Sequence, residues 1–197
     1  MTVFVKICGF REAQHVKAAV EAGVDAIGFV FARSVREIAP ADAAAISANT
    51  PSHIKRVAVM RHPADDEWQQ VLRVFSPDVL QTDAEDFASL NVPDSIERWP
   101  VYREGGATPD VQGVYIFEGP KSGQGASVDW SQAATFAASG QMILAGGLAA
   151  HNVAKAIATA RPFGVDVSSG VESAPGQKDS ELIGRFVKAA RAAEKNL

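Results

Sequence analysis

Short runs of β-branched and aromatic residues alternate with alanine-rich amphipathic stretches along the whole chain. The apolar runs predict strands over residues 3–8, 26–31, 55–60, 78–81, 101–103, 113–118, 142–145 and 164–167. Between them the pattern predicts helices over 11–22, 41–48 (opened by Pro40), 64–75, a short one near 85–90, 131–139, 150–160 and 180–194. The segment E-G-G-A-T-P-D after the fifth strand holds little that would support a helix, so the fifth helix is expected to be short or absent. A βα unit repeated around eight strands predicts an α/β protein, one compact (βα)8 TIM barrel formed by residues 1–197. An open flavodoxin-like sheet is the rival, but eight strand candidates are too many for its five-strand order. At 197 residues the chain is shorter than the typical barrel of about 250, so every connection must be lean.

Composition narrows the function. Apolar residues make up 47% and charged residues 21%, as in ordinary globular proteins. The net charge of -4 is spread over both signs without a Lys/Arg run, which argues against nucleic acid as a partner. The N-terminal stretch reads neither as a signal peptide nor as a membrane span, so a cytoplasmic protein with no membrane partner is expected. A single cysteine, Cys8, excludes an intrachain disulfide and a thiolate metal cluster. The histidines His15, His53, His62 and His151 lack ligand spacing in the sequence and are expected to face solvent, so no metal site is predicted.

Four signatures fall where predicted strands stop: V-K-I-C-G, G-F-V-F-A-R-S-V-R, L-A-G-G-L and D-V-S-S-G-V-E. A parallel barrel builds its active site from βα loops that share one rim, so polar and reactive groups at these ends point to an enzyme. Cys8 ends the first strand beside Gly9, and Lys6 shares its face one layer deeper. A nearby ammonium favours the thiolate and makes the sulfur a usable base, whereas a buried thiol in apolar surroundings is inert. The rim motifs favour the base. Glycines at 146 and 147 allow backbone N–H groups to approach an anion, and Ser168, Ser169 and Gly170 offer more donors on the next loop. Loops after strands seven and eight recurrently hold phosphate in barrels. Arg36, five residues past the second strand, either grips a carboxylate or is a solvated loop arginine. Glu118, ending the sixth strand, serves either as a general acid or as the cap of a surface loop. Asp166 lies inside an apolar strand and requires a buried partner, for which Lys6 is the candidate because strand eight closes against strand one.

Together V-K-I-C-G, D-A-I-G-F-V-F-A-R-S-V-R, L-A-G-G-L-A-A-H-N-V and G-V-D-V-S-S-G-V-E resemble the phosphoribosylanthranilate isomerase family of tryptophan biosynthesis, in order over nearly the whole chain. The resemblance implies an Amadori rearrangement of N-(5-phosphoribosyl)anthranilate to 1-(2-carboxyphenylamino)-1-deoxyribulose 5-phosphate without a cofactor. It implies Cys8 as general base and Glu118 as general acid, with Arg36, Gln81 and Asp166 binding substrate. It implies phosphate held by Gly146, Gly147, Ser168, Ser169 and Gly170, and a monomer or homodimer. Three departures stand out. Glu118 replaces the family's aspartate, Asp83 and Ala84 stand where histidine and glycine are usual, and Gln124 breaks a Gly-Gly pair. Another sugar-phosphate isomerase on this barrel would not need Arg36, and a non-catalytic binder would not need both Cys8 and an acid at 118.

Overall fold

The computed structural model describes residues 2–109, 113–120, 128–138 and 140–194. Eight parallel strands close into a barrel in the order β1 to β8: Phe4–Cys8, Ala26–Val30, Lys55–Val59, Val79–Asp83, Glu97–Arg103, Val114–Glu118, Gln141–Leu144 and Gly164–Val167. Around it lie α1 (Ala13–Ala22), α2 (Pro40–Ser47), α3 (Asp65–Phe75), α4 (Trp130–Ala137), α5 (Val153–Ala160) and α6 (Ser180–Ala193). Closure brings the last strand beside the first, with Lys6 opposite Asp166.

Alternation along each strand divides the apolar residues into two clusters. Val5, Ile7, Leu80, Tyr115, Phe117, Leu144 and Val165 pack outward against the helices. Ala26, Val57, Val79, Trp99, Val101, Ile116, Ile143 and Ala145 fill the barrel interior. The same parity directs Lys6, Cys8, Gln81, Asp83, Arg103, Glu118 and Asp166 to the interior face, so strand register alone gathers ionisable groups from five strands in one lumen.

Two connections are reduced. After β4 a 3₁₀ turn, Ala84–Ala88, replaces the expected short α-helix. Between β5 and β6 no helix occurs among the described residues, in agreement with the weak E-G-G-A-T-P-D segment. β5 starts four residues earlier than its apolar run, at Glu97, because Glu97 and Arg98 pair with Val79 and Leu80 although they are polar. After β8 the chain forms a hairpin that the apolar pattern did not reveal, β9 (Glu172–Ala174) with β10 (Gln177–Lys178). One solvent-facing expectation is corrected: His15 is only 8% exposed, because it shares the inward stripe of α1 with Val16 and Ala19.

Candidate active site

A cavity of about 220 Å³ opens at the carboxyl ends of the strands. Cys8, Arg36, Gln81, Glu118, Gly146, Gly147, Asp166, Ser168 and Ser169 all line it, together with Asp83 and Arg103. Gly170 lies behind this wall, where an added Cβ would fall 1.9 Å from the Leu148 carbonyl oxygen. Its lack of a side chain is what lets the β7 and β8 loops abut.

At the floor, Lys6 Nζ donates to Asp166 Oδ2 at 2.8 Å, and both side chains are buried. Burial works against the Lys6 ammonium, but Asp166 and then Cys8 outweigh it and hold its pKa above the ordinary value. Burial raises Asp166, with Lys6 as the main opposing influence. The Cys8 thiol is likewise pushed up by burial, against the pull of Lys6. The Lys6 ammonium therefore offsets part of what burial costs a thiolate at Cys8. Gly28 faces the sulfur from β2, and a Cβ there would come 3.1 Å from Cys8 Sγ. Gln81 Oε1 and Asp166 Oδ1 are buried acceptors without a protein hydrogen bond among the described residues.

Arg36 is anchored at the rim by a two-point contact with Glu172, Nε to Oε1 at 2.7 Å and a terminal nitrogen to Oε2 at 2.8 Å. Lys178 Nζ donates to Glu172 Oε1 at 2.8 Å and to the Ser168 carbonyl at 3.0 Å. Burial would raise Glu172, but the bonds from Arg36 and Lys178 prevail and lower its pKa to about 2. The stem of Arg36 crosses Gly9, where a Cβ would meet Arg36 Cδ at 2.6 Å and where φ is +87°. The glycine of V-K-I-C-G is thus required by conformation and by the arginine passing over it.

The loop after β7 turns through Gly146 and Gly147 at φ +94° and +63°. Asn152 braces it, donating to the Gly147 carbonyl and accepting from Ala149 N, each at 2.8 Å. Across the gap, Ser168 Oγ donates to the Cys8 carbonyl at 3.0 Å, tying the β8 loop to the end of β1.

The opposite wall is a chain of charges. Arg103 Nε lies 3.1 Å from Glu118 Oε1, and its Nη1 lies 2.5 Å from Asp83 Oδ1. His62 Nε2 is 3.0 Å from Asp83 Oδ2, and its Nδ1 is 2.9 Å from Asp86 Oδ1. The hydrogen bond with Asp86, above all, raises the His62 pKa. His62 is more than half exposed, as expected, yet it belongs to a cluster with Asp83 and Asp86 whose ligand-type atoms lie within 4.8 Å of one another. The guanidinium of Arg103 already faces Asp83 in that cluster.

The family model for N-(5'-phosphoribosyl)anthranilate isomerase matches residues 5–189. The chain belongs to the phosphoribosylanthranilate isomerase family. It is 38% identical over 187 residues to N-(5'-phosphoribosyl)anthranilate isomerase of Streptococcus pneumoniae, covering 93% of this chain and 94% of that one. The crystal structure of phosphoribosylanthranilate isomerase from Thermus thermophilus superposes with a TM-score of 0.85 at 27% identity, covering 96% and 99% of the two chains. A second isomerase structure, in complex with reduced 1-(o-carboxyphenylamino)-1-deoxyribulose 5-phosphate, has a TM-score of 0.79 at 30% identity and the same coverage.

Within this isomerase family barrel, several residues escaped the sequence reading. Glu172 and Lys178 were hidden because their hairpin has no apolar period, although Glu172 stands inside D-V-S-S-G-V-E. Arg103 ends β5 at an inward position, and strand parity could have singled it out. His62 gave no signal, since its partners come from β4 and the following turn. Residues 121–127, which include Gln124, lie outside the described residues.

Proposed function

We propose that this protein catalyses the Amadori rearrangement of N-(5-phosphoribosyl)anthranilate, with Cys8 as base and Glu118 as acid. Glu118 donates its proton to the ring oxygen as the C1–O bond breaks, and the aniline nitrogen lone pair forms the C=N bond. Cys8, as thiolate, removes the proton from C2, and the electron pair moves to give the enolamine, which tautomerises to the ketose. Lys6 keeps positive charge beside the sulfur, while Gln81 and Asp166 accept hydrogen bonds from ribose hydroxyls. Arg36 pairs with the anthranilate carboxylate while Glu172 holds its guanidinium in place. The phosphate lies between Gly146-Gly147 and the Ser168-Ser169-Gly170 loop, receiving backbone N–H groups.

The observation that carries this reading is that the thiol, the carboxyl group and both anion-ready loops line one cavity. With it goes a cytoplasmic enzyme of tryptophan biosynthesis, monomeric or homodimeric, which needs no cofactor. No helix among the described residues is long and apolar enough to cross a membrane. Loss of phosphoribosylanthranilate fluorescence on adding the purified protein tests it. Fluorescence decay no faster than the spontaneous rate overturns it.

A further inference from the structure

Glu118 ends β6 and Asp83 ends β4. These positions are far apart in sequence, yet one guanidinium touches both: Arg103 lies 3.1 Å from Glu118 and 2.5 Å from Asp83. Asp83 is 1% exposed, lines the cavity, and has neither oxygen in a well-directed hydrogen bond among the described residues. Its charge is therefore met by ion contacts, with Arg103 on one side and His62 on the other. We infer that Asp83 and Arg103 are a positioning pair for Glu118, in which Arg103 fixes its carboxyl group and Asp83 offsets the guanidinium charge so that Glu118 can hold a proton.

The need for Asp83 follows from electrostatics. A guanidinium beside a carboxyl group favours its ionised form, which is the wrong form for a proton donor. A second buried carboxylate on the same guanidinium opposes that effect. The other ionisable groups around Glu118 are few among the described residues. His62 and Asp86 stand behind Asp83, and Arg61 also lines the cavity. Ala145, Gly146 and Gly147 at the end of β7 carry no ionisable side chain. Glu104 bonds the Glu118 carbonyl through its backbone N–H but turns its carboxylate to Asp129 N at 3.1 Å. Cys8 and Asp166, with Arg33 and Arg36 from the loop after β2, line the same cavity. Asp83 and Arg103 therefore exert opposite influences on the same proton.

The inference rests on the proposed acid role, and its test separates the two. Protein labelled with ¹³C at glutamate carboxyl carbons is titrated by NMR, with the Glu118 resonance assigned as the one lost in Glu118→Gln. In the near-isosteric Asp83→Asn the Glu118 midpoint should fall by about one pH unit, and in Arg103→Met it should rise by a similar amount. Arg103→Lys should keep the midpoint near that of the wild type yet lower kcat with little change in KM, because an ammonium cannot hold two carboxylates in a fork. Unchanged midpoints in Asp83→Asn or in Arg103→Met overturn the inference, and either variant alone decides. If the midpoints move as expected but the alkaline limb of kcat does not follow them, the pair stands and the acid assignment falls.

Discussion

Lys6 Nζ lies 2.8 Å from Asp166 Oδ2, a buried ion pair across the seam where β8 closes on β1, one inward position below Cys8. It couples closure of the barrel to the electrostatics of the thiol. Lys6→Met leaves the Asp166 carboxyl group buried without its cation and should cost about 3–5 kcal/mol in urea unfolding. The double variant with Asp166→Asn should recover part of that loss, since an amide carries no charge to strand. A single variant as stable as the wild type would show that the pair does not support the seam.

Burial holds the Cys8 thiol above its ordinary pKa. The active form of a base is the deprotonated one, so kcat/KM should climb with pH through the neutral range as the thiolate fraction grows. Cys8→Ser should retain affinity for a reduced product analogue and lose at least about 10²-fold in kcat. A kcat within a few fold of the wild type in this variant removes the sulfur from the reaction.

Glu118 leads to a prediction of the opposite pH sign. A general acid acts in its protonated form, so kcat should fall on the alkaline side as Glu118 ionises in the bound complex. Glu118→Gln should abolish turnover, whereas Glu118→Asp should stay active or improve. The loop that follows Glu118 runs through residues 119–127, of which only Gly119 and Pro120 belong to the described part. Should glutamine be tolerated, the proton comes from another group, and Asp83 or Asp166 is the next to replace.

Glu172 links catalysis to acid stability. Its pKa is lowered from an ordinary 4.5 to about 2. A depressed carboxylate stabilises the fold above its unfolded value, and that contribution fades as pH falls through the folded one. Glu172→Gln should therefore cost about 3 kcal/mol at neutral pH, with the difference from wild type vanishing below about pH 2. Freed from its two-point anchor, Arg36 should also bind substrate less well, raising KM about tenfold while kcat changes little. An unaltered KM would separate Glu172 from the substrate contact.

The two anion loops can be probed without turnover. Inorganic phosphate or sulfate soaked into crystals should occupy the gap between Gly146-Gly147 and Ser168-Ser169-Gly170. Gly170→Ala drives a Cβ to within 1.9 Å of the Leu148 carbonyl, which must then move, at a cost of about 1–3 kcal/mol in stability and with weaker competition by phosphate. Anion density elsewhere and none in this gap would refute the cradle.

Much of this protein was decided locally. The alternation of apolar runs with amphipathic stretches specified eight strands and their order, because period 2 and period 3.6 are properties of neighbouring residues. Strand parity set Lys6, Cys8 and Asp166 facing inward, and an aspartate in an apolar strand demanded the partner it has in Lys6. The poor helix-forming content of E-G-G-A-T-P-D announced the missing fifth helix among the described residues. What tertiary structure alone decided are contacts between segments whose sequence separation carries no period. Glu172 meets Arg36 across 136 positions, and Arg103 bridges Asp83 to Glu118. The balance at Cys8 was also beyond local reading: Lys6 was visible beside it, but the burial that outweighs the ammonium comes from closing the barrel around both.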